Sequence, residues 1–306
     1  MGATTPFQVT PLDASFGAVV TGLALAELDE AAMAGLYAAW LEHALLIFPG
    51  LRLDDDQQLA FARRFGELEI ELLRIGNIDE QGRLREPDDA VIRVLDGNRD
   101  WHCDSTFKPV QAKGAVFSAR IVPPAGGETC WADMRAGYDA LDAAMKAKIA
   151  PMAAHHSLRH SQTRAGMKPI NPGAFGSAYM ADEVPPLRPL VKIHPETGRP
   201  SLNIGRHACA IPGLAPEESL RLLDELQDFA CQPPRVWTHS WTAGDAVIWD
   251  NRCLLHCVVP WDIRQPRDMR HTRLAGHPLA EFAAPGRTGA PQPEVMPPSI
   301  CTQAPW

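Results

Sequence analysis

The chain has 306 residues, 45% of them hydrophobic, which is enough for a substantial core. With 29 basic and 37 acidic residues its net charge is −8, arguing against a nucleic-acid binder that works by neutralising phosphates. No apolar run is long enough to span a membrane, and the N-terminal MGATTPFQVT lacks the basic and apolar parts of a secretion signal; seven cysteines stand without a CxxC pair, so a reduced, cytoplasmic protein is expected.

In chain order, residues 28–48 (LDEAAMAGLYAAWLEHALLIF) carry apolar side chains at helical spacing and stop at Pro49-Gly50, which predicts a helix. A second helix is predicted over 55–65, opened by acidic residues and closed by Gly66. Residues 70–100 are polar and read as a loop, so the first third is expected to be mainly helical. AVFSARIVP (115–123) alternates as a strand does, PAGGE turns, and TCWADM resumes the sheet. Then come a predicted helix over about 135–148, a strand over 201–205 and a helix over 215–230 with Pro216 near its start. The aperiodic stretch 161–186 has the composition of a lid. Strand-like runs follow at 246–251, 254–261 and 269–276, and the Pro- and Gly-rich tail 283–306 reads as coil.

Without an internal repeat or a linker, one domain over 1–306 is expected. Its class is α+β: a double-sheet jelly roll over about 101–276, flanked by helices, with a helical region over about 1–68.

The chemistry concentrates in WHCDSTF (101–107). His102 and Asp104 are two apart and share a face if the segment is a strand. His256 lies in the predicted strand LLHCVV. Two histidines and a carboxylate on one side of a metal leave the other side open, the facial triad of non-haem iron(II) oxygenases. Spacing alone carries little weight, since a lone HxD is more often a satisfied core histidine. Cys103 and Cys257, beside the proposed ligands, should point away and are read as core. His155, His156 and His160 are read as capping a helix end rather than binding metal.

A keto-acid cosubstrate would need a partner for its far carboxylate, and a guanidinium suits it. Arg264, Arg267, Arg270 and Arg273 follow His256. On a strand, Arg267, His271 and Arg273 line one face while Arg270 turns away; the alternative is a solvated basic edge strand.

These words resemble the taurine dioxygenase/2,4-dichlorophenoxyacetate dioxygenase family over nearly the whole chain. TPLDASFGAVVTGLALAELD, WHCDSTFKPV, GGETCWADMRAGYDAL and WDNRCLLHCVVPWD…PRDMRHTRLAG occur in the family's order and spacing. HALLIFPG, HPETGRPSL and GRHACAIPG look closest to aryloxyalkanoate dioxygenases of the phenoxypropionate type.

The resemblance implies iron(II), 2-oxoglutarate and dioxygen, and hydroxylation of the carbon next to the ether oxygen of a phenoxy acid. The other reading is an alkyl sulfonate, a sulfate ester or another small carboxylate as substrate. His102, Asp104 and His256 match the metal ligands. Thr129, Arg267 and Trp249 match the 2-oxoglutarate site, with Arg267 on the distal carboxylate. Asn98 matches a residue near the substrate. His271 stands where taurine dioxygenase has its sulfonate-binding arginine. Arg273 and His207 are the candidates for a substrate carboxylate, the alternatives being a surface ion pair and a loop hydrogen bond. Ser105 and Phe107 are expected on the substrate side, Phe107 as an aromatic wall or as core. The partner is thus a small anionic aromatic molecule, and the family implies a homo-oligomer.

Overall fold

The computed structural model describes residues 6–166, 185–281 and 283. Ahead of the WHCDSTF word come β1 (Gln8–Pro11), β2 (Ala18–Thr21), α1 (Glu30–His43), β3 (Leu45–Phe48), α2 (Asp55–Arg63), β4 (Leu68–Gly76) and α3 (Ala90–Gly97). After it come β5 (Gly114–Ile121), β6 (Thr129–Asp133), α4 (Met134–Ala140), α5 (Ala143–Ile149), β7 (Ala153–His156) and α6 (Leu158–Arg164). The remainder holds β8 (Leu187–Pro189), β9 (Val191–Ile193), β10 (Pro200–Leu202), β11 (Ala208–Ala210) and α7 (Pro216–Ala230). It closes with β12 (Val236–His239), β13 (Ala246–Asp250), β14 (Leu254–Val258), β15 (Asp268–Leu274) and α8 (Pro278–Glu281).

A seven-stranded sheet in the order β1-β2-β3-β13-β5-β15-β4 packs against a three-stranded sheet in the order β12-β6-β14, which is the jelly-roll core. Alternation along each strand explains the layering. From the large sheet Ala115, Phe117, Val247, Trp249 and Met269 point inward and meet Trp131 and Leu254 of the small one. Their neighbours Val116, Ile248 and Leu274 point outward onto Leu36 and Trp40 of α1 and Phe61 of α2. The outer face of the small sheet, at Ala132 and Leu255, is covered by Met134 of α4 and Leu222 and Leu226 of α7. Each such large apolar side chain contributes roughly 1.5–3 kcal/mol by leaving water.

The expected helix over 28–48 divides. Asp29 caps α1 by accepting the Ala32 amide at 2.8 Å, and Ala44 ends it in a left-handed conformation at φ 62°. Leu45–Phe48 then becomes β3, parallel to β2 and antiparallel to β13. All four of its residues are buried, so the run has no alternation to distinguish it from the helix before it.

The expected loop over 70–100 is wrong in part: it contains most of β4 and all of α3, and β4 is the edge strand beside β15. The helix expected over 135–148 is two, because Asp142 accepts the Met145 amide at 2.7 Å and caps a new helix. His155 and His156 lie in β7, and His160 lies inside α6 rather than at a helix end. Within the lid expected over 161–186, residues 167–184 lie outside the described residues, as does 284–306 of the tail.

Candidate active site

His102 does not lie in a continuous strand. It forms an isolated antiparallel bridge with His256 of β14, each amide donating to the other's carbonyl at 2.9 and 2.8 Å. The two rings come together with centroids 4.1 Å apart. Asp104 sits in the turn that follows, not on a strand face as the spacing alone predicted. The turn continues through Ser105, at φ 60°. Tertiary pairing plus a tight turn brings the three residues together, with one ligand atom of each within 4.8 Å of the others.

The donor set fits a metal ion. The His102 Nδ1–H points to the Asp100 carbonyl at 2.8 Å, which leaves Nε2 as the lone-pair nitrogen. Asp104 Oδ2 is buried without a hydrogen-bond partner, 4.0 Å from His256 Nε2. Burial by itself would raise the Asp104 carboxyl, but Arg273, His271 and His256 hold it well below the usual carboxylate range. Burial, then the neighbouring His256, holds the His102 pKa well below its ordinary value, and burial pushes His256 down to about 4. A carboxylate and two neutral imidazoles are the protonation states that bind a metal.

The residues matched to the cosubstrate are held close by. Thr129 opens β6, and its hydroxyl accepts from Trp241 Nε1 at 3.0 Å. Arg267 precedes β15 and is only 2% exposed. Its Nε and Nη2 donate to the Gly127 carbonyl at 3.3 and 3.1 Å, and no carboxylate pairs with it among the described residues. Burial lowers the Arg267 guanidinium to about 10, still charged at neutral pH. Phe117 lies 5.9 Å and Trp261 5.1 Å from that guanidinium. A buried cation lodged among aromatic rings with one backbone carbonyl as partner is suited to a carboxylate brought from outside. A Cβ at Gly127 would lie 3.1 Å from Arg267 Nε, so the GGET word supplies room as well as a carbonyl. Trp249 stacks on His271 at 5.6 Å and also meets His256 at 4.9 Å.

The substrate-side expectations divide. His207 is buried, its ring 6.4 Å from His102 and 4.9 Å from Phe107, and its Nδ1 bonds Ser161 Oγ at 2.9 Å. Burial and Arg206 hold it neutral, its pKa well below the ordinary value. Phe107 is half-buried against that ring. His271 sits 3.5 Å from Asp104 Oδ2 with its Nε2 otherwise unpartnered. Asn98, which ends α3, accepts from Arg206 Nη2 at 3.3 Å.

Arg273 is committed differently from the expectation. Its Nη2 donates to Asp104 Oδ1 at 3.2 Å and its Nη1 to Ser105 Oγ at 3.1 Å, with Glu69 at 3.9 Å. Both terminal nitrogens are therefore engaged, which argues against a further carboxylate there. Arg270 turns away to Asp55 of α2, as predicted, while Met269 and His271 face the inter-sheet core. Cys103 is buried as read; Cys257 is only half-buried and lies opposite Cys130 on β6.

Arg206 is the residue that sequence reasoning missed. Among the described residues it has no carboxylate partner, its Nε is buried without a hydrogen bond, and its amide donates to the Trp101 carbonyl at 2.9 Å. Burial pushes its guanidinium down to about 10, and its charge bears on both His102 and His256. The available signal was its position beside His207 in GRHA.

The model of the family described as taurine catabolism dioxygenase TauD, TfdA family, matches residues 8–273. An (S)-phenoxypropionate/alpha-ketoglutarate-dioxygenase of Sphingobium herbicidovorans is 58% identical, covering 90% of this chain and 98% of that one. One of the same description from Delftia acidovorans is 54% identical, covering 92% and 99%. The crystal structure of AAD-2 in complex with Mn(II) and N-oxalylglycine superposes with a TM-score of 0.82 at 36% identity, covering 91% of this chain and 98% of that one. The His-Asp-His site, the jelly roll and the match across 8–273 lead to one assignment: the chain belongs to the TauD/TfdA family and is a 2-oxoglutarate-dependent dioxygenase with a facial triad for iron(II).

Proposed function

We propose that this enzyme oxidises the carbon next to the ether oxygen of an aryloxyalkanoate, an (S)-phenoxypropionate-type acid, releasing a phenol and a keto acid. The observation that carries this reading is Arg206: a guanidinium beside the iron ligands that lacks a carboxylate among the described residues. The names of the relatives at 58% and 54% identity support the same substrate class.

Bound iron(II) with 2-oxoglutarate supplies dioxygen activation, coupling decarboxylation of the keto acid to succinate and CO2 with hydroxylation of the substrate. The chain's residues position the partners. His102, Asp104 and His256 hold the metal on one side and leave the other open. Arg267 takes the distal carboxylate of 2-oxoglutarate, Thr129 presents its hydroxyl to the same end, and Trp249 walls the cosubstrate. Arg206 takes the substrate carboxylate, with Asn98 orienting the guanidinium through its 3.3 Å contact. Phe107 and His207 flank the aromatic ring, and His271, stacked on Trp249, closes the space where a sulfonate-binding arginine would stand. Ser105 and Arg273 serve the metal ligand rather than the substrate. Fixing one C–H bond at a defined distance from the metal is what such a two-ended clamp contributes. Hydroxylation there yields a hemiketal, whose collapse expels the phenol.

The same reading takes residues 1–306 as one catalytic domain acting in the cytoplasm as a homo-oligomer, the last on family resemblance alone; light scattering tests it. No helix among the described residues is long and apolar enough to cross a membrane.

The deciding experiment supplies purified enzyme with iron(II), ascorbate and 2-oxoglutarate and measures phenol and succinate from both phenoxypropionate enantiomers, phenoxyacetate and taurine. The (S)-phenoxypropionate should be turned over best, with one phenol per succinate. Turnover of taurine or an alkyl sulfate without any phenol from the phenoxy acids defeats the substrate assignment and leaves the cosubstrate chemistry standing.

A further inference from the structure

Asp104 uses its two oxygens unequally. Oδ2 is buried and unpartnered near the histidines, whereas Oδ1 accepts from Arg273 Nη2 at 3.2 Å. An arginine on the only carboxylate of the triad draws electron density away from the metal and places a positive charge beside it. Something must offset that charge.

The offset comes from β4. Glu69 lies 3.9 Å from Arg273 Nη1, accepts the Ser105 hydroxyl at 2.9 and 3.0 Å, and ion-pairs with Lys108. Ser105 in turn accepts from Arg273 Nη1 at 3.1 Å, so one chain of contacts runs Lys108–Glu69–Ser105–Arg273–Asp104. The fold has two features that serve it. Ser105 adopts φ 60°, where a glycine would be easier, and its hydroxyl is the atom that joins Glu69 to Arg273. The pairing of β15 with β4 is irregular on both sides of Arg273, between His271 and Arg273 and between Arg273 and Leu274, and such irregularity re-aims a side chain.

We propose that Glu69 is a positioning residue for the iron site: by sharing the charge of Arg273 and Lys108 it lets Arg273 fix Asp104 as a one-oxygen ligand without competing with the metal. The proposal rests on the triad being the iron site and makes no use of the substrate assignment. Removing the charge of Glu69 leaves Arg273 with Asp104 as its one carboxylate among the described residues. Asp104 then belongs more to Arg273 and less to the metal.

The test is anaerobic titration of the full-length apoprotein with cobalt(II), read by its visible d–d bands, and with iron(II) by calorimetry. Glu69→Gln should weaken both metals by at least about tenfold, since a negative charge is lost within Coulombic reach of a dication. The KM for 2-oxoglutarate should stay within about twofold once metal saturates. The double variant Glu69→Gln/Arg273→Gln should bind metal more tightly than Glu69→Gln alone, because the uncompensated cation is gone; a merely structural role for Glu69 would make the double variant worse. Thermal unfolding checks that each variant is folded. Unchanged metal affinity in Glu69→Gln, or a double variant no better than the single one, overturns the proposal. Failure of the wild-type protein to bind either metal would instead overturn the iron site itself.

Discussion

Arg206 and Arg273 both carry a guanidinium toward the metal ligands, yet among the described residues only Arg273 of the two has a carboxylate: Asp104 Oδ1 lies at 3.2 Å from it, whereas Arg206 donates to the Asn98 amide oxygen at 3.3 Å. That difference sets a residue tied to the metal ligand apart from the proposed substrate anchor.

It follows that Arg206→Gln should raise the KM for an aryloxy acid by about ten- to a hundredfold, the worth of one charge-assisted hydrogen-bonded pair. The KM for 2-oxoglutarate should not move. Steady-state kinetics varying each substrate in turn checks this. Equal effects on both would mean that Arg206 belongs to the cosubstrate instead.

At the other end of the site, Arg267→Gln should raise the KM for 2-oxoglutarate by about a hundredfold, because two parallel hydrogen bonds to a carboxylate are lost together. Metal affinity measured without cosubstrate should be unaffected. Apparent KM values under saturating iron provide the measurement. A loss confined to the aryloxy acid would reverse the roles given to Arg206 and Arg267.

His256→Ala removes a ligand and one ring of the His102–His256 pair, while the backbone bridge between the two residues stays. Metal affinity should fall by at least about a hundredfold, since loss of outer-shell partners alone costs ten- to a hundredfold. Thermal melting of the apoprotein should change little. Cobalt titration and a melting curve together distinguish loss of the site from loss of the fold.

The buried histidines make the apoprotein acid-sensitive. His102, His156 and His207 have pKa values well below 6.5 in the folded state, and His256 is at about 4, in each case through burial first. Their unfolded counterparts take up protons as the pH drops below about 6.5, and the folded ones do not. The unfolded state then binds more protons, so stability present above pH 6.5 is lost progressively as pH falls toward 4, by up to about 1.4 kcal/mol per pH unit for each such histidine. Melting temperatures of the apoprotein from pH 7.5 to 5 should decline steeply, and a flat profile would contradict neutral buried imidazoles.

Much of this enzyme is legible in its linear sequence. The two-residue spacing of His102 and Asp104 and the distant His256 suggest a metal site, and the family resemblance, more than the spacing, singles them out and adds Thr129 of GGET and Arg267 as the keto-acid residues. Gly114–Ile121 is also buried over its first six residues, yet it was readable because Ser118 and Arg120 interrupt the apolar residues at alternate positions. Leu45–Phe48 was not: all four residues are buried, and only the left-handed turn at Ala44 and the partners β2 and β13 make it a strand. The expected loop at 70–100 hides β4 for a related reason. Its residues are mostly half-buried, so polarity along it reflects an edge position and not the absence of a sheet.

What only tertiary structure decided is which of Arg206 and Arg273 lacks a carboxylate among the described residues. The family resemblance offered Arg273 and His207 as candidates for a substrate carboxylate and passed over Arg206. The deciding groups are Glu69, from β4, and Asp104, from a turn more than thirty residues later, which meet at Arg273 across the sheet and leave Arg206 without a partner carboxylate among the described residues. A charge's availability depends on every counter-charge within a few ångströms, and those neighbours come from distant parts of the chain.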